Sequence, residues 1–127
     1  MPPIDARLDI RNRSMPSGSG WANVTASNGQ TYSYQYVGGS DGNGNVTVTQ
    51  ADQEIVIDLI CDQRYHVDGV DLQDPKGDVT PAHTTRQVTL TDSNADKNYD
   101  IYYAIDIKDT DANCTFRCDP EIHNRGR

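Results

Sequence analysis

A chain of 127 residues with a net charge of −8 and a sequence pI near 4.5 is long enough for one domain with a real core, and it repels nucleic-acid phosphates and anionic membrane surfaces alike. Hydrophobic residues make up 35% and the mean hydropathy is −0.75, low for a globular domain, yet Val, Ile and Tyr fall in periodic runs that argue against wholesale disorder. No apolar run is long enough to span a bilayer, and the opening MPPIDARLDI has no basic region followed by an apolar one. The expectation is a cytoplasmic protein that binds neither nucleic acid nor membrane, although a mature secreted domain behind a new start Met would read the same way.

Residues 4–11 alternate cleanly, with Ile4, Ala6, Leu8 and Ile10 on one side and Asp5, Arg7, Asp9 and Arg11 on the other, the period of a half-buried strand. Residues 12–20 (NRSMPSGSG) form a loop. Residues 21–26 read as a short strand, and Asn28-Gly29 is a type I′ hairpin signal leading into a strand over 30–37. That strand puts Tyr32, Tyr34 and Tyr36 on one face and Thr31, Ser33 and Gln35 on the other. A turn over 38–44 precedes a strand over 45–50. Residues 54–61 carry Ile55, Ile57, Leu59 and Cys61 on one face, and Val56 and Ile60 make the second face partly apolar, which predicts a central strand.

Over 65–72 the phase changes, because Tyr65 and Val67 are odd while Val70 and Leu72 are even. An extra residue at Asp68-Gly69, a β-bulge, restores the register. Residues 74–82 (DPKGDVTPA) read as a loop with two prolines. Strands are predicted over 84–90 and 98–108, joined by the polar loop 92–97. In the second of these, Tyr99, Ile101, Tyr103, Ile105 and Ile107 share a face. After a turn at 109–113, a last strand over 114–118 aligns Cys114, Phe116 and Cys118, and a loose tail follows from about residue 121. About nine short strands with turn signals between them, and no helix, predict one antiparallel β-sandwich over 1–127, Ig-like in the loose sense.

The segment 98–122 (NYDIYYAIDIKDTDANCTFRCDPEI) resembles the C-terminal end of the AidA/PixA family of bacterial inclusion-body proteins, over about a fifth of the chain. The resemblance rests on a Tyr-rich alternating strand, an acidic turn, a short strand and a closing Asp-Pro-x-Ile at Asp119, Pro120 and Ile122. It implies a cytoplasmic β-sandwich that accumulates or self-associates without catalysis, and it transfers no site residue.

Chemistry-bearing constellations are sparse. Asp41, Asn43 and Asn45, then Asp92, Asn94 and Asp96, then Asp109, Asp111 and Asn113 alternate in tight loops, and oxygen ligands so spaced can converge on Ca2+. Asp92, Asn94 and Asp96 are the best metal candidates, but ordinary turn chemistry alone predicts the residues of all three loops and is the favoured reading of each. Cys114 and Cys118 lie roughly 13 Å apart if extended at about 3.3 Å per residue, too far for a mutual disulfide. Cys61 can pair with either, or all three are buried thiols of a reducing compartment. His66, His83 and His123 lack the spacing of a zinc or copper site. No nucleophile elbow, phosphate loop or dinucleotide fingerprint is present. The stripe Tyr32, Tyr34, Tyr36 is either core or an exposed binding platform.

Two functions follow as expectations. The first is a non-enzymatic sandwich, without cofactor, that self-associates as a homo-oligomer or binds a protein partner, similar to AidA/PixA proteins. The alternative is a secreted or surface carbohydrate- or adhesion-type module, with Ca2+ in the Asp92 loop and the tyrosine stripe as its platform.

Overall fold

The computed structural model describes residues 3–16, 20–39, 46–49, 51–73, 77–94, 100–119 and 121–124, with the backbone alone at 100, 101 and 121–124. The described residues hold eleven strands and no helix: β1 (Ile4–Arg11), β2 (Ala22–Thr25), β3 (Thr31–Gly38), β4 (Val46–Val48), β5 (Gln53–Leu59), β6 (Tyr65–Gln73), β7 (Val79–His83), β8 (Gln87–Asp92), β9 (Asp100–Asp109), β10 (Cys114–Cys118) and β11 (Glu121–Asn124). A six-stranded sheet runs β2-β3-β1-β5-β8-β7. The second sheet is built on β9: β6 lines one edge, β10 and β11 follow each other along the opposite edge, and β4 pairs with β11.

Alternation explains the layering. Ala6, Leu8 and Ile10 of β1, Ile55, Ile57 and Leu59 of β5, and Val88 and Leu90 of β8 point off one sheet; Val67 of β6, Tyr103, Ile105 and Ile107 of β9 and Phe116 of β10 point off the other. All belong to one buried cluster, so the sheets pack face to face as a β-sandwich. Strand β5 lies between β1 and β8, the central place its two-sided apolar pattern predicts. The bulge is where the phase change puts it: pairing to β9 passes from Val67↔Ile107 to Gly69↔Asp106, leaving Asp68 extra. Two bridges close the flanks of the sandwich, from Val67 N–H to Thr85 O (2.8 Å) and from Ser27 N–H to Thr115 O (2.9 Å).

Several expectations need correction. Pairing is not wholly antiparallel, because β1 runs parallel to β5 and β4 parallel to β11. The Asn28-Gly29 hairpin is not type I′. Gly29 N–H closes a turn onto Ala26 O (2.9 Å), and Gly29 alone takes the left-handed conformation at φ 85°, the three-residue-loop alternative. Strand β7 occupies part of the predicted proline loop. Pro81 is tolerated there because β7 is an edge strand with only β8 beside it, so the missing N–H breaks no ladder. The loose tail is also revised, since Glu121–Asn124 pairs between β9 and β4. Gly38 marks a tight crossing: at φ 89°, a Cβ there would lie 2.8 Å from Asp5 O.

Candidate functional site

The tyrosine stripe does not form a platform. Tyr32 and Tyr36 are 0% and 5% exposed, because β3 turns this face inward toward the second sheet. Tyr32 stacks on Phe116 with centroids 4.4 Å apart and meets the edge of Tyr65 at 6.2 Å. Its hydroxyl donates to Asp109 Oδ2 at 2.5 Å and lies 3.2 Å from Cys114 Sγ. Tyr36 donates to Cys118 O at 3.0 Å. Tyr34 is half-buried against Tyr36, and its hydroxyl accepts from Asp119 N–H at 3.2 Å. Burial raises the pKa of all three phenols. An interior phenol needs a partner, and the stripe finds its partners across the sandwich.

Asp109 is the polar centre of the core. Alternation carries the inward face of β9 from Tyr103, Ile105 and Ile107 on to this carboxylate, which is 0% exposed. Arg64 grips it with two hydrogen bonds, Nε to Oδ1 at 2.8 Å and Nη2 to Oδ2 at 2.7 Å. Tyr32 and the backbone N–H groups of Asp111 and Ala112 complete the shell. Burial alone would raise its pKa, but the hydrogen bonds, led by Arg64 and then Tyr32, outweigh this and hold the carboxyl at about 2. The same pairing raises the Arg64 pKa. A guanidinium on both carboxylate oxygens leaves no place for Ca2+, so the loop with Asp109, Asp111 and Asn113 is turn chemistry; Asn113 takes the left-handed conformation at φ 53°.

The structure brings Asp92 and Asn94 together. Asn94 N–H donates to Asp92 Oδ1 at 2.9 Å, and Asn94 has φ 50°, which makes an Asx-turn. Both residues are buried, as are Gln53 and Asp78 at the same end of the sheet. Asp96, and with it Asp41, Asn43 and Asn45, lies outside the described residues. No group of three or more His, Cys, Asp or Glu that could hold a metal occurs among the described residues. The three cysteines are buried free thiols, and burial pushes Cys61 and Cys118 up, which keeps them protonated and inert. Arg86, which the sequence did not single out, donates to the carbonyls of Asp62, Tyr65, Leu59 and Cys61. It thereby satisfies the backbone between β5 and β6.

The accessible chemistry lies on the outer face of the second sheet. Tyr102 of β9 is 53% exposed and, with Ile60, is one of two exposed large hydrophobic residues among those described. Beside it lies a hollow of about 220 Å³ lined also by Asp71, Gln73, Tyr103, Ala104, Arg117 and Asp119. The bulge makes this hollow. Without the extra Asp68, Asp71 and Gln73 would share the inward phase of Tyr65 and Val67; with it they stand outward opposite Ala104 and Tyr102. Ala104 is the floor, only 6% exposed although it points outward, and its small side chain leaves the space open. Arg117 forms the far wall, bound to Asp106 at 2.9 Å and to Asp71 at 2.9 Å. Beyond Arg117 a second hollow of about 320 Å³ is lined by Asp68, Asp106, Thr115 and Phe116. Sequence reasoning missed this site. The available signal was the outward phase of Tyr102 and Ala104 in YDIYYAIDIK combined with the register shift in β6.

Comparison of the chain with protein-family models and with curated protein sequences finds no match. Among the described residues no helix is long and apolar enough to cross a membrane, which says nothing of a β-barrel.

Proposed function

We propose that the chain is a non-enzymatic, cytoplasmic binding protein of Ig-like sandwich form, similar to the bacterial AidA/PixA proteins, which engages a protein partner through the outer face of its second sheet. The observation that carries this reading is the half-exposed Tyr102 beside a hollow floored by Ala104, since an exposed aromatic with an adjoining recess is the usual anchor of a protein interface. Free, buried thiols support a reducing compartment. The non-enzymatic reading is supported by the commitment of Asp109 to Arg64 and of the Tyr32 and Tyr36 phenols to acceptors across the core. Partner binding is favoured over obligate self-association, because the described surface exposes two large hydrophobic residues, whereas obligate dimers bury broad apolar areas.

The test is a pull-down with the wild-type chain, Tyr102→Ala and Ala104→Leu as baits, alongside light scattering on each. A partner retained by the wild type and lost from both variants, with all three proteins monomeric, is the expected result. Identical capture by all three baits would overturn the assignment of this face, and a concentration-dependent dimer abolished by Ala104→Leu would replace the partner with a second copy.

A further inference from the structure

Resting on the partner-binding reading, we infer that the hollow beside Tyr102 receives a Lys or Arg side chain of the partner. Size argues first. About 220 Å³ falls below the roughly 300–1,000 Å³ of pockets that enclose a small organic ligand, and suits one long side chain. The lining agrees, because Tyr102, Tyr103 and Ala104 of β9 run along the hollow and offer apolar surface to the methylene stem of a snorkelling cation.

Charge argues next. Among the described residues, Asp68, Asp71, Asp106 and Asp119 stand around the two hollows, and Arg117 is the cation that lines both of them. Arg117 is committed to Asp106 and Asp71, which leaves the described lining of the hollow beside Tyr102 with a negative balance and with Asp119 part of it. A guanidinium or ammonium entering there meets the Asp119 carboxylate, shares Asp71 with Arg117, and lies against the Tyr102 ring, whose face attracts cations. The chain as a whole, at −8, steers basic segments toward it. A second copy of this chain is disfavoured as occupant on the same ground, since it would bring its own excess of carboxylates.

The experiment is a titration of the isotope-labelled wild-type chain with a short Gly/Arg peptide, read by backbone amide shifts. The control is the same peptide with citrulline, the uncharged isostere, in place of Arg. Saturable shifts centred on Tyr102, Ala104, Arg117 and Asp119 are expected, weakening with added salt. The citrulline peptide should bind about tenfold or more weakly. Ala104→Leu, which fills the hollow, and the double variant Asp71→Asn/Asp119→Asn, which neutralises it, should each abolish the shifts, while the rest of their spectra reports that both remain folded. Equal binding of the citrulline peptide, or shifts indifferent to both variants, would overturn the inference. The parent reading fails separately: it stands if the pull-down partner remains sensitive to Ala104→Leu while Arg and citrulline peptides bind alike, and falls if no partner is sensitive to that substitution.

Discussion

Replacing Asp109 with Ala removes the acceptor at the centre of the core and strands Arg64. Asp109 is 0% exposed and the Arg64 side chain 25% exposed. Removing one partner of a fully buried pair costs about 3–5 kcal/mol. Partial rehydration of Arg64 brings the expected loss to the lower end, about 3 kcal/mol, or a fall in Tm of about 12 °C for a domain of this size. The N–H of Asp111 adds little, because that residue is exposed and water replaces the lost acceptor. The pH dependence follows from the direction of the shift. The folded pKa, about 2, lies below the unfolded value near 3.9, so the unfolded state binds more protons as pH falls. The pairing stabilises fully above the unfolded pKa and is lost as pH drops through the folded one. Urea unfolding of wild type and Asp109→Ala, followed by circular dichroism, should show the full difference at neutral pH and a difference that shrinks between about pH 4 and pH 2. A loss below about 1 kcal/mol, or a gap of equal size at both ends of that range, would refute the assignment of Asp109 as an ionised, buried anchor.

Gly38→Ala should cost about 2 kcal/mol or more, because the new Cβ meets Asp5 O at 2.8 Å and the backbone is at φ 89°; a chemical denaturation midpoint equal to that of wild type would contradict this crossing. Arg86→Met should destabilise by about 2–4 kcal/mol by orphaning carbonyls of Leu59, Cys61, Asp62 and Tyr65, and hydrogen exchange should rise first over the segment from β5 to β6. Tyr32→Phe should cost about 1.5–3 kcal/mol, the range for a hydrogen bond to a charged group, and should move the Asp109 carboxyl resonance titration upward, since the Tyr32 hydroxyl is one of the groups holding that pKa down. Millimolar Ca2+ against EDTA should leave Tm unchanged, because Asp92 Oδ1 accepts the Asn94 N–H in an Asx-turn and both residues are buried; a ligand that binds only the folded state would raise it.

Much of the strand content is legible locally, because alternation is a property of the extended backbone and needs no partner. The strands Ile4–Arg11 and Cys114–Cys118, the central character of Gln53–Leu59 and the bulge at Asp68 can all be read from residue phase. Phase alone leaves open which of two faces is buried when both carry usable side chains, which is why Tyr32 to Tyr36 reads as core or platform. The decision came from Asp109, 77 residues away along the chain, whose carboxylate gives the Tyr32 hydroxyl a partner inside.

The candidate site was less legible than the core. Ala104 and Tyr102 are outward by phase, but a hollow exists only because β6 lies beside β9 with one residue bulged out and β10 stops at Cys118 on the other edge. Strands β7 and β11 were hidden for related reasons, a proline harmless at an edge and a short segment whose ladder partners lie elsewhere in the chain. Local sequence therefore determined where the chain extends and which residues alternate, since those follow from the backbone at each position. Tertiary structure decided the parallel pairings, the buried Arg64–Asp109 anchor and the groove beside Tyr102, since each depends on segments distant in sequence meeting at a register that no single segment encodes.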